Sequence, residues 1–437
     1  MLLIYRILFL PVLMLLTPAY LLRMSRRGGY RSGFTQRFGE HPRLPAKIPG
    51  RPRVWLQAVS VGELLAIGPL LEALHRDGVE TYLTVTTSTG HRLAGERYRQ
   101  VTSGIGYFPL DWWYFVVRTW RRIEPDLVVL VEGERWPELL WQAASRGVPV
   151  VNINARLSDQ SYARLLRFRP AGRLMFTSLT RLLPCSERDA MRFEELGVPR
   201  SRMVRTGNIK LDVAIPLLAE PERAALARSL GLGAGRVLLG SSTWPGEEEA
   251  LVAALRAARD RGFSCTLLLV PRHAERRPEI ERRLRTSHLR YHFRTDGDAP
   301  GEVDVVVADT TGELRRLTQL ADVVFIGKSL PPHTDGQTPV EAAALGRAML
   351  LGPGMGNFRE ISRDLISRGA AREVADANAL ADAVVALLAN DAIRRTLGAA
   401  AARWQQDNAG AIGRTLAVLR EEILRSDRGR EAEGKGA

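Results

Sequence analysis

The residues with the clearest chemical potential are acids at points where a strand-like run gives way to a helical pattern. The first is Glu63, in the turn Ser60-Val61-Gly62-Glu63, which follows the apolar run 54–59. A carboxylate beyond the carboxyl end of a parallel strand can face a ligand cleft and accept a proton from an attacking hydroxyl group. The alternative is a first-turn acid that the helix dipole favours, with Ser60 as its cap. Taken alone, the turn favours the capping role.

Two later turns of the same half carry charged residues with similar potential. Glu134 and Arg135 follow the apolar run 127–131, between a glycine and a proline that permit a sharp turn. They could line a cleft, although a surface salt bridge explains them equally well. Arg156 follows the run 149–153 and could hold a phosphate or carboxylate with two nitrogens, with an ordinary surface arginine as the alternative.

In the second half, the candidates suit a phosphorylated ligand. Ser242 and Thr243 lie in the small-residue loop 240–248, whose backbone N–H groups can bind an anion or simply cap the helix that follows. Arg272, after another apolar run, is placed to meet a phosphate. The turn 309–314 could hold a base or phosphate. Glu341 could accept hydrogen bonds from two ribose hydroxyls, unless it too is only a dipole-favoured helix acid.

These residues must be positioned by short apolar runs separated by helical patterns, which predict parallel sheets covered on both faces. The runs lie at 54–59, 82–85, 127–131 and 149–153, and then at 237–240, 266–270, 305–307, 323–326 and 349–351. The alternation pauses between residues 208 and 221. We therefore predict two α/β domains, over residues 54–215 and 222–425, and disorder in the polar tail 427–437.

The N-terminal segment joins an apolar run, 7–22, to a stretch in which nine basic residues between Arg23 and Arg53 face a single acid, Glu40. This order of charge is opposite to that of a signal peptide. It predicts a membrane anchor helix over 1–24, a basic linker over 25–53 and a body on the cytoplasmic side of the inner membrane. The run is short for a span of about 20 residues, so interfacial insertion or a buried core helix stays open.

Composition narrows the classes of function. The net charge of +14 favours an anionic partner, without distinguishing nucleic acid, an anionic membrane surface and a phosphorylated substrate. Two cysteines, Cys185 and Cys265, provide no disulfide framework. Histidines at metal-ligand spacing, a dinucleotide fingerprint and basic residues interleaved with aromatics are all absent from the sequence. We expect chemistry without a metal or cofactor, and no nucleic-acid partner.

The ordered set of segments resembles the Kdo (3-deoxy-D-manno-octulosonic acid) transferases of lipopolysaccharide biosynthesis over nearly the whole chain. The matching segments are Arg-Phe-Gly-Glu at 37–40, Ala58-Val59-Ser60-Val61-Gly62-Glu63, Asn154-Ala155-Arg156-Leu157-Ser158, Gly207-Asn208-Ile209-Lys210, Pro271-Arg272-His273, Gly312-Glu313-Leu314, Pro339 with Glu341, and Asn357-Phe358-Arg359-Glu360. The resemblance implies a GT-B glycosyltransferase fold, in which two Rossmann-like domains face a cleft. It also implies inverting transfer of Kdo from CMP-Kdo, held by the C-terminal domain, to a phosphorylated lipid A precursor (lipid IVA), held by the N-terminal domain.

The resemblance also implies roles for individual residues. Glu63 matches the catalytic base, Arg272 a contact to the donor phosphate, and Glu341 a contact to the ribose. The other donor-binding candidates are Ser242, Thr243, Pro271, His273, Gly312, Glu313, Leu314, Thr338 and Asn357, and the acceptor-binding candidates are Gly62, Glu134 and Arg156. The partners would be CMP-Kdo, the lipid precursor and the lipids of the cytoplasmic membrane.

The chain departs from the family pattern at four places. Trp244 stands where a histidine is usual, Gly327-Lys328-Ser329 where Gly-Gly-Ser is usual, Gln337-Thr338 where His-Asn is usual, and 131–137 where Met-Glu-Thr-Glu-Leu-Trp-Pro is usual. Two alternatives follow: a related GT-B enzyme with another nucleotide-sugar or acceptor, and a catalytically inactive membrane-docking homologue. Donor profiling separates the first from Kdo transfer, and detectable transfer would exclude the second.

Overall fold

The computed structural model describes residues 2–27, 33–176, 178–213 and 215–434. The chain forms two compact units. Unit 1 comprises Met1–Asp212 with Gly410–Ala437, and unit 2 comprises Val213–Ala409. Each unit contains a parallel sheet flanked by helices, which confirms the prediction of two α/β domains.

Unit 1, in its described part, is built on a six-stranded parallel sheet in the order β3-β2-β1-β4-β5-β6. The strands are β1 Arg53–Ala58, β2 Glu80–Val85, β3 Gly104–Tyr107, β4 Leu127–Val131, β5 Val150–Ala155 and β6 Arg181–Pro184. The helices before residue 212 are α1 Leu2–Arg27, α2 Val61–Ala66, α3 Gly68–Arg76, α4 Ser88–Arg97, α5 Trp113–Ile123, α6 Pro137–Ala144, α7 Asp159–Arg167, α8 Arg169–Phe176 and α9 Glu187–Glu195.

The strands of unit 1 are apolar on both faces because both faces are covered. Val54 and Leu56 of β1 pack with α2 and α3, whereas Trp55, between them, packs with α5 and α6. The chain proceeds outward from β1 to β3 on one side and from β4 to β6 on the other. The gap between β1 and β4 is therefore the topological switch point, where such sheets bind ligands.

Unit 2 has a seven-stranded parallel sheet among its described residues, in the order β13-β12-β11-β7-β8-β10-β9. The strands are β7 Arg236–Thr243, β8 Cys265–Pro271, β9 Tyr291–Phe293, β10 Val305–Val307, β11 Val323–Ile326, β12 Ala348–Leu351 and β13 Arg372–Glu373. The helices are α10 Glu220–Ser229, α11 Glu247–Asp260, α12 Arg277–Arg285, α13 Leu314–Leu317, α14 Val340–Ala344, α15 Arg359–Ser367, α16 Ala377–Ala389 and α17 Asp391–Asn408. Its switch point lies between β7 and β11.

The C-terminal helix α18, Ala411–Gly434, differs from the prediction. The sequence suggested that unit 2 extends to 425 and that disorder begins at 427, whereas the structure returns the chain to unit 1 at Gly410 and continues the helix to Gly434. Leu416, Leu419 and Ile423 recur at helical spacing and are buried in the unit 1 core. The local composition of this segment does not indicate its packing against a distant part of the chain. Residues 435–437 lie outside the described residues.

The N-terminal segment predicted as an anchor forms helix α1. Within the described residues, no helix combines the length and apolar character needed to span a membrane. A spanning anchor is therefore not supported. In the predicted basic linker, residues 28–32 are outside the described part, while Arg37 and His41 are buried within unit 1.

Candidate functional site

Glu63 lies in the first turn of α2, immediately beyond β1 and beside the switch point of unit 1. Ser60 caps this helix by accepting the Glu63 backbone N–H at 3.2 Å. The Glu63 carboxylate in turn accepts the Ser60 hydroxyl at 3.0 Å through Oε1 and the Val59 N–H at 2.9 Å through Oε2. The capping interpretation is therefore confirmed, and the same bonds hold the carboxylate in one orientation.

The surroundings of Glu63 raise the pKa of its carboxyl group. The side chain is only 8% exposed. Burial raises the pKa of Glu63 above its ordinary value, and the negative charge of Glu132 adds to this, while the Val59 N–H, the Ser60 hydroxyl and Lys210 oppose it. A carboxylate with a raised pKa is a stronger base than an exposed glutamate.

Gly62 leaves open the approach to this turn. The residue is exposed, and a Cβ added to it would meet only the Ser60 hydroxyl oxygen, at 3.9 Å. Since neither packing nor a positive φ requires glycine here, the missing side chain keeps the space before the helix start clear. This placement suits the predicted contact with an acceptor.

The loop that follows β4, across the switch point from Glu63, brings Glu134 into the same group. Burial raises the pKa of Glu134 to about 7, and the charge of Glu63 contributes to that shift, while the indole N–H of Trp136 opposes it. Arg135 has a different role. Its guanidinium lies 5.2 Å from the ring centroid of Phe176 and 5.3 Å from that of Phe193, inside the unit.

The structure adds residues that the sequence had not put forward for this site. Lys210 forms an ion pair with Glu132, and the Asn154 amide donates to the same carboxylate at 3.2 Å. Glu132 and Lys210 sit in segments already recognised, but only the fold shows that they meet. Arg156 is exposed, and its guanidinium has no hydrogen bond or ion pair with a described residue. Burial raises the pKa of the Cys185 thiol, the charges of Asp189 and Glu132 add to the rise, and those of Arg156 and Lys210 oppose it, so Arg156 lies near this charged group.

In unit 2, four loops meet along the carboxyl edge of the sheet, because β12, β11, β7 and β8 are neighbours. The Trp244 ring after β7 lies 5.2 Å from the His273 ring after β8. The backbone N–H of Asn357 after β12 donates to the Asp335 carbonyl after β11 at 2.7 Å. The predicted donor residues on these loops are thus brought together.

Arg272 and Asn357 are the exposed residues among these predicted donor contacts, and Arg272 carries the positive charge. Thr243 is fully buried and donates its hydroxyl to Glu248 at 2.8 Å, while Ser242 is 8% exposed with a positive φ of 53°. Pro271 ends β8 and is buried. The Arg272 guanidinium is exposed and pairs with no residue in the described part of the chain. It is therefore available to an anion.

Glu247, which sequence reasoning did not select, fixes two of these loops. Its carboxylate is 1% exposed and accepts four backbone N–H groups. The donors are Trp244 at 2.9 Å, Lys328 at 2.7 Å, Ser329 at 2.8 Å and Leu330 at 3.1 Å. Burial raises the pKa of Glu247 while these four bonds oppose it. Because Glu247 lies in the first turn of α11, the sequence does not distinguish it from an ordinary capping acid.

The remaining donor candidates form a second group. Gly312 has a φ of 88° with open space at its Cβ position, as a tight turn approached by a ligand requires, and Glu313 and Leu314 follow it into α13. Glu341 lies 3.6 Å from the Arg315 guanidinium and accepts the Thr338 hydroxyl at 3.3 Å. The ion pair brings the turn before α13 and the start of α14 together.

The comparisons with known proteins identify the family. A family model for 3-deoxy-D-manno-octulosonic-acid transferase (kdotransferase) matches residues 32–213. The 3-deoxy-D-manno-octulosonic acid transferase of Bordetella pertussis is 34% identical over 415 residues, covering 91% of this chain and 94% of that protein. The chain belongs to the Kdo transferase family. The Haemophilus influenzae transferase, 30% identical, covers 96% of this chain and 95% of its own length.

A solved structure agrees with the fold of this Kdo transferase. A glycosyltransferase from Rickettsia africae ESF-5 superposes with a TM-score of 0.52 at 12% identity, covering 86% of this chain and 99% of that one. At that identity the likeness concerns the fold alone. It confirms two parallel-sheet α/β domains of the kind found in GT-B glycosyltransferases.

Proposed function

We propose that this Kdo transferase moves Kdo from CMP-Kdo to a hydroxyl group of a phosphorylated lipid A precursor, with inversion at the anomeric carbon. The observation that carries the proposal is the Glu63 carboxylate, buried and fixed in orientation at the unit 1 switch point of a chain from this family. Glu63 is the base, and Arg272 with the loops around it is the donor-phosphate site.

The reaction needs one displacement. The acceptor hydroxyl oxygen bonds to the anomeric carbon as its proton passes to the Glu63 carboxylate. The bond between that carbon and the phosphate oxygen of CMP breaks, and CMP leaves with the electron pair. Arg272, exposed and unpaired among the described residues, stabilises the charge that develops on the leaving phosphate. A single displacement from the face opposite CMP inverts the anomeric carbon.

The test is a CMP-release assay with CMP-Kdo and a lipid IVA acceptor, comparing the wild type with Glu63→Gln and Ser60→Ala. We expect Glu63→Gln to slow turnover by about 10²–10⁴-fold, as for loss of a general base, with the Kd for CMP unchanged. Ser60→Ala keeps the carboxylate but removes the cap and one of the two bonds that orient it, so we expect a smaller loss of turnover than in Glu63→Gln, and its unfolding temperature reports the cost of losing the cap.

The possible results separate the claims. Glu63→Gln turnover equal to that of the wild type would eliminate the proposed base. Wild-type protein that releases no CMP from CMP-Kdo, while another nucleotide-sugar is consumed, would instead overturn the donor assignment. Mass spectrometry of the lipid product identifies the acceptor.

We also propose that the enzyme works at the cytoplasmic face of the inner membrane, with α1 lying at the interface. Exposed apolar side chains repeat along α1 at three- and four-residue spacing, including Leu3 at 68%, Ile7 at 63% and Leu15 at 79% exposure. The helix is held to the rest of unit 1, because the Tyr5 hydroxyl donates to Asp111 at 2.9 Å and Arg6 pairs with Glu138 at 2.7 Å.

Vesicle co-sedimentation tests this location. With vesicles containing anionic phospholipid, we expect the triple variant Leu3→Ser, Ile7→Ser, Leu15→Ser to lose most of the binding seen with the wild type. The matched control replaces Leu217 and Leu424, exposed by 78% and 59% outside α1, and should bind normally. Binding of the triple variant equal to that of the wild type would show that α1 is not the contact.

A further inference from the structure

Three of the positions at which this chain departs from the family pattern meet at the switch point of unit 2. Trp244 follows β7 and Lys328 follows β11, and the Lys328 Nζ lies 4.3 Å from the centroid of the Trp244 ring. The Gln337 backbone N–H donates to the Gly327 carbonyl at 3.0 Å. The departures are therefore parts of one local structure.

The backbone at Lys328 gives the first indication of a role for its side chain. Its φ of 57° lies in the left-handed region, which favours glycine and costs another residue about 1 kcal/mol. The Lys328 N–H is also fixed by Glu247 at 2.7 Å, so the loop cannot relax to a more favourable conformation without losing that bond. Glycine would fit here at lower cost, so the lysine is explained by what its ammonium group contacts.

Those contacts hold a positive charge at the edge of the site. The Lys328 ammonium group lies over one face of the Trp244 indole. The ring centroids of His273 and His333 lie 5.2 and 5.9 Å from that of the same indole. A nucleobase cannot stack on the indole face that the ammonium group covers. Lys328 also pairs with Asp335 at 2.6 Å, where the lysine side chain is 21% exposed and the aspartate 48%. The aspartate, which is the more exposed partner, can give way to a ligand anion.

The donor has more than one negative charge to match. CMP-Kdo carries a phosphate and, because Kdo is an octulosonic acid, a sugar carboxylate. Arg272 follows β8 and Lys328 follows β11, so β7 with Trp244 lies between the strands that carry the two cations. Two separated cations suit a ligand with two separated anionic groups.

We propose that Lys328 binds the carboxylate of the donor sugar, exchanging Asp335 for the ligand. The inference rests on the proposed function, since it takes CMP-Kdo as the donor. It makes Lys328 a residue that distinguishes an acidic sugar from a neutral one, whereas Arg272 binds the phosphate that all such donors share. Trp244 is the positioning residue that supports the ammonium group.

The experiment compares two ligands, and two variants that we expect to change the KM for CMP-Kdo in opposite directions. CMP carries only the phosphate, so its inhibition constant reports the nucleotide site, whereas the KM for CMP-Kdo reports nucleotide and sugar together. We expect Lys328→Gln to raise the KM for CMP-Kdo about tenfold or more, as for loss of a charged hydrogen bond, and to change CMP inhibition less than about twofold. Asp335→Asn frees Lys328 and should lower the same KM. Arg395→Gln, which removes an exposed charge from α17, is the control and should change neither.

Three alternative results overturn the inference. Equal weakening of CMP and CMP-Kdo by Lys328→Gln would assign Lys328 to the phosphate. A KM that rises in both Lys328→Gln and Asp335→Asn would show that their ion pair only stabilises the loop. No change in either variant would leave the pair without a role in donor binding. A wild type inactive with CMP-Kdo would instead indicate failure of the proposed function.

Discussion

At the scale of single residues, the Glu63 turn combines two functions that the sequence presents as alternatives. The hydrogen bonds that cap α2 also orient the carboxylate. Capping alone does not require burial, because first-turn acids are stable when exposed. The 8% exposure of Glu63 and its raised pKa go beyond what a cap needs. The burial and the raised pKa of this carboxylate, which a helix cap does not require, therefore support the base role.

Glu134 gives a prediction about pH and stability. Its folded pKa of about 7 lies above the ordinary value, so the protonated side chain favours the folded state. That contribution is fully present below about pH 4.5 and is lost as the pH rises through about 7. Between about pH 5 and pH 8 we expect the thermal unfolding midpoint to fall by less in Glu134→Gln than in the wild type, because the amide does not ionise.

The measurement is fluorescence-monitored unfolding, which Trp136 beside Glu134 makes sensitive to this loop. The control is Glu187→Gln, at an acid whose side chain is 58% exposed in the same unit, and its curve should run parallel to that of the wild type. Parallel curves for Glu134→Gln and the wild type would mean that Glu134 does not contribute to the pH dependence of stability in this range.

At the scale of elements, Glu247 connects the start of α11 to the loop after β11. Replacing it with alanine would leave four backbone N–H groups, two of them in fully buried hydrogen bonds, without their acceptor. We expect Glu247→Ala to destabilise unit 2 by roughly 3 kcal/mol or more, and to weaken CMP binding because both loops lose their fixed positions.

Glu249→Ala is the matched control for this element. Its side chain is 42% exposed on the same helix, and we expect a change within about 0.5 kcal/mol. Calorimetric unfolding and CMP titration give the two readouts. If Glu247→Ala unfolds like the wild type, backbone groups of the two loops must find other partners, and the loops are not held by this carboxylate.

The elements also show what the sequence can predict. Long apolar runs such as 127–131 and 266–270 became β4 and β8, because a buried strand needs apolar side chains on both faces. Edge strands were missed: β13 is two residues, Arg372–Glu373, and both are exposed. The meeting of Lys210 with Glu132, and of Lys328 with Trp244, depends on strand order, which local patterns do not contain.

At the scale of the whole molecule, the last helix belongs to the first unit. Asp212, where the chain leaves unit 1, accepts the backbone N–H groups of Gly410 at 2.9 Å and Ile412 at 2.7 Å, where it returns. Arg420 of α18 pairs with Asp77 at 2.8 Å. Unit 1 is thus completed only by the end of the chain, which its local composition did not reveal.

Truncation tests this assembly. A chain ending at residue 409 would lose α18 and with it the buried Leu416, Leu419 and Ile423, each worth about 1.5–3 kcal/mol of burial. We expect unit 1 of that chain to unfold at a lower temperature while unit 2 still binds CMP, because unit 2 ends at Ala409. A chain ending at residue 426 keeps those three side chains and should match the full-length protein. Loss of CMP binding in the shorter chain would instead show that unit 2 also needs α18 to fold.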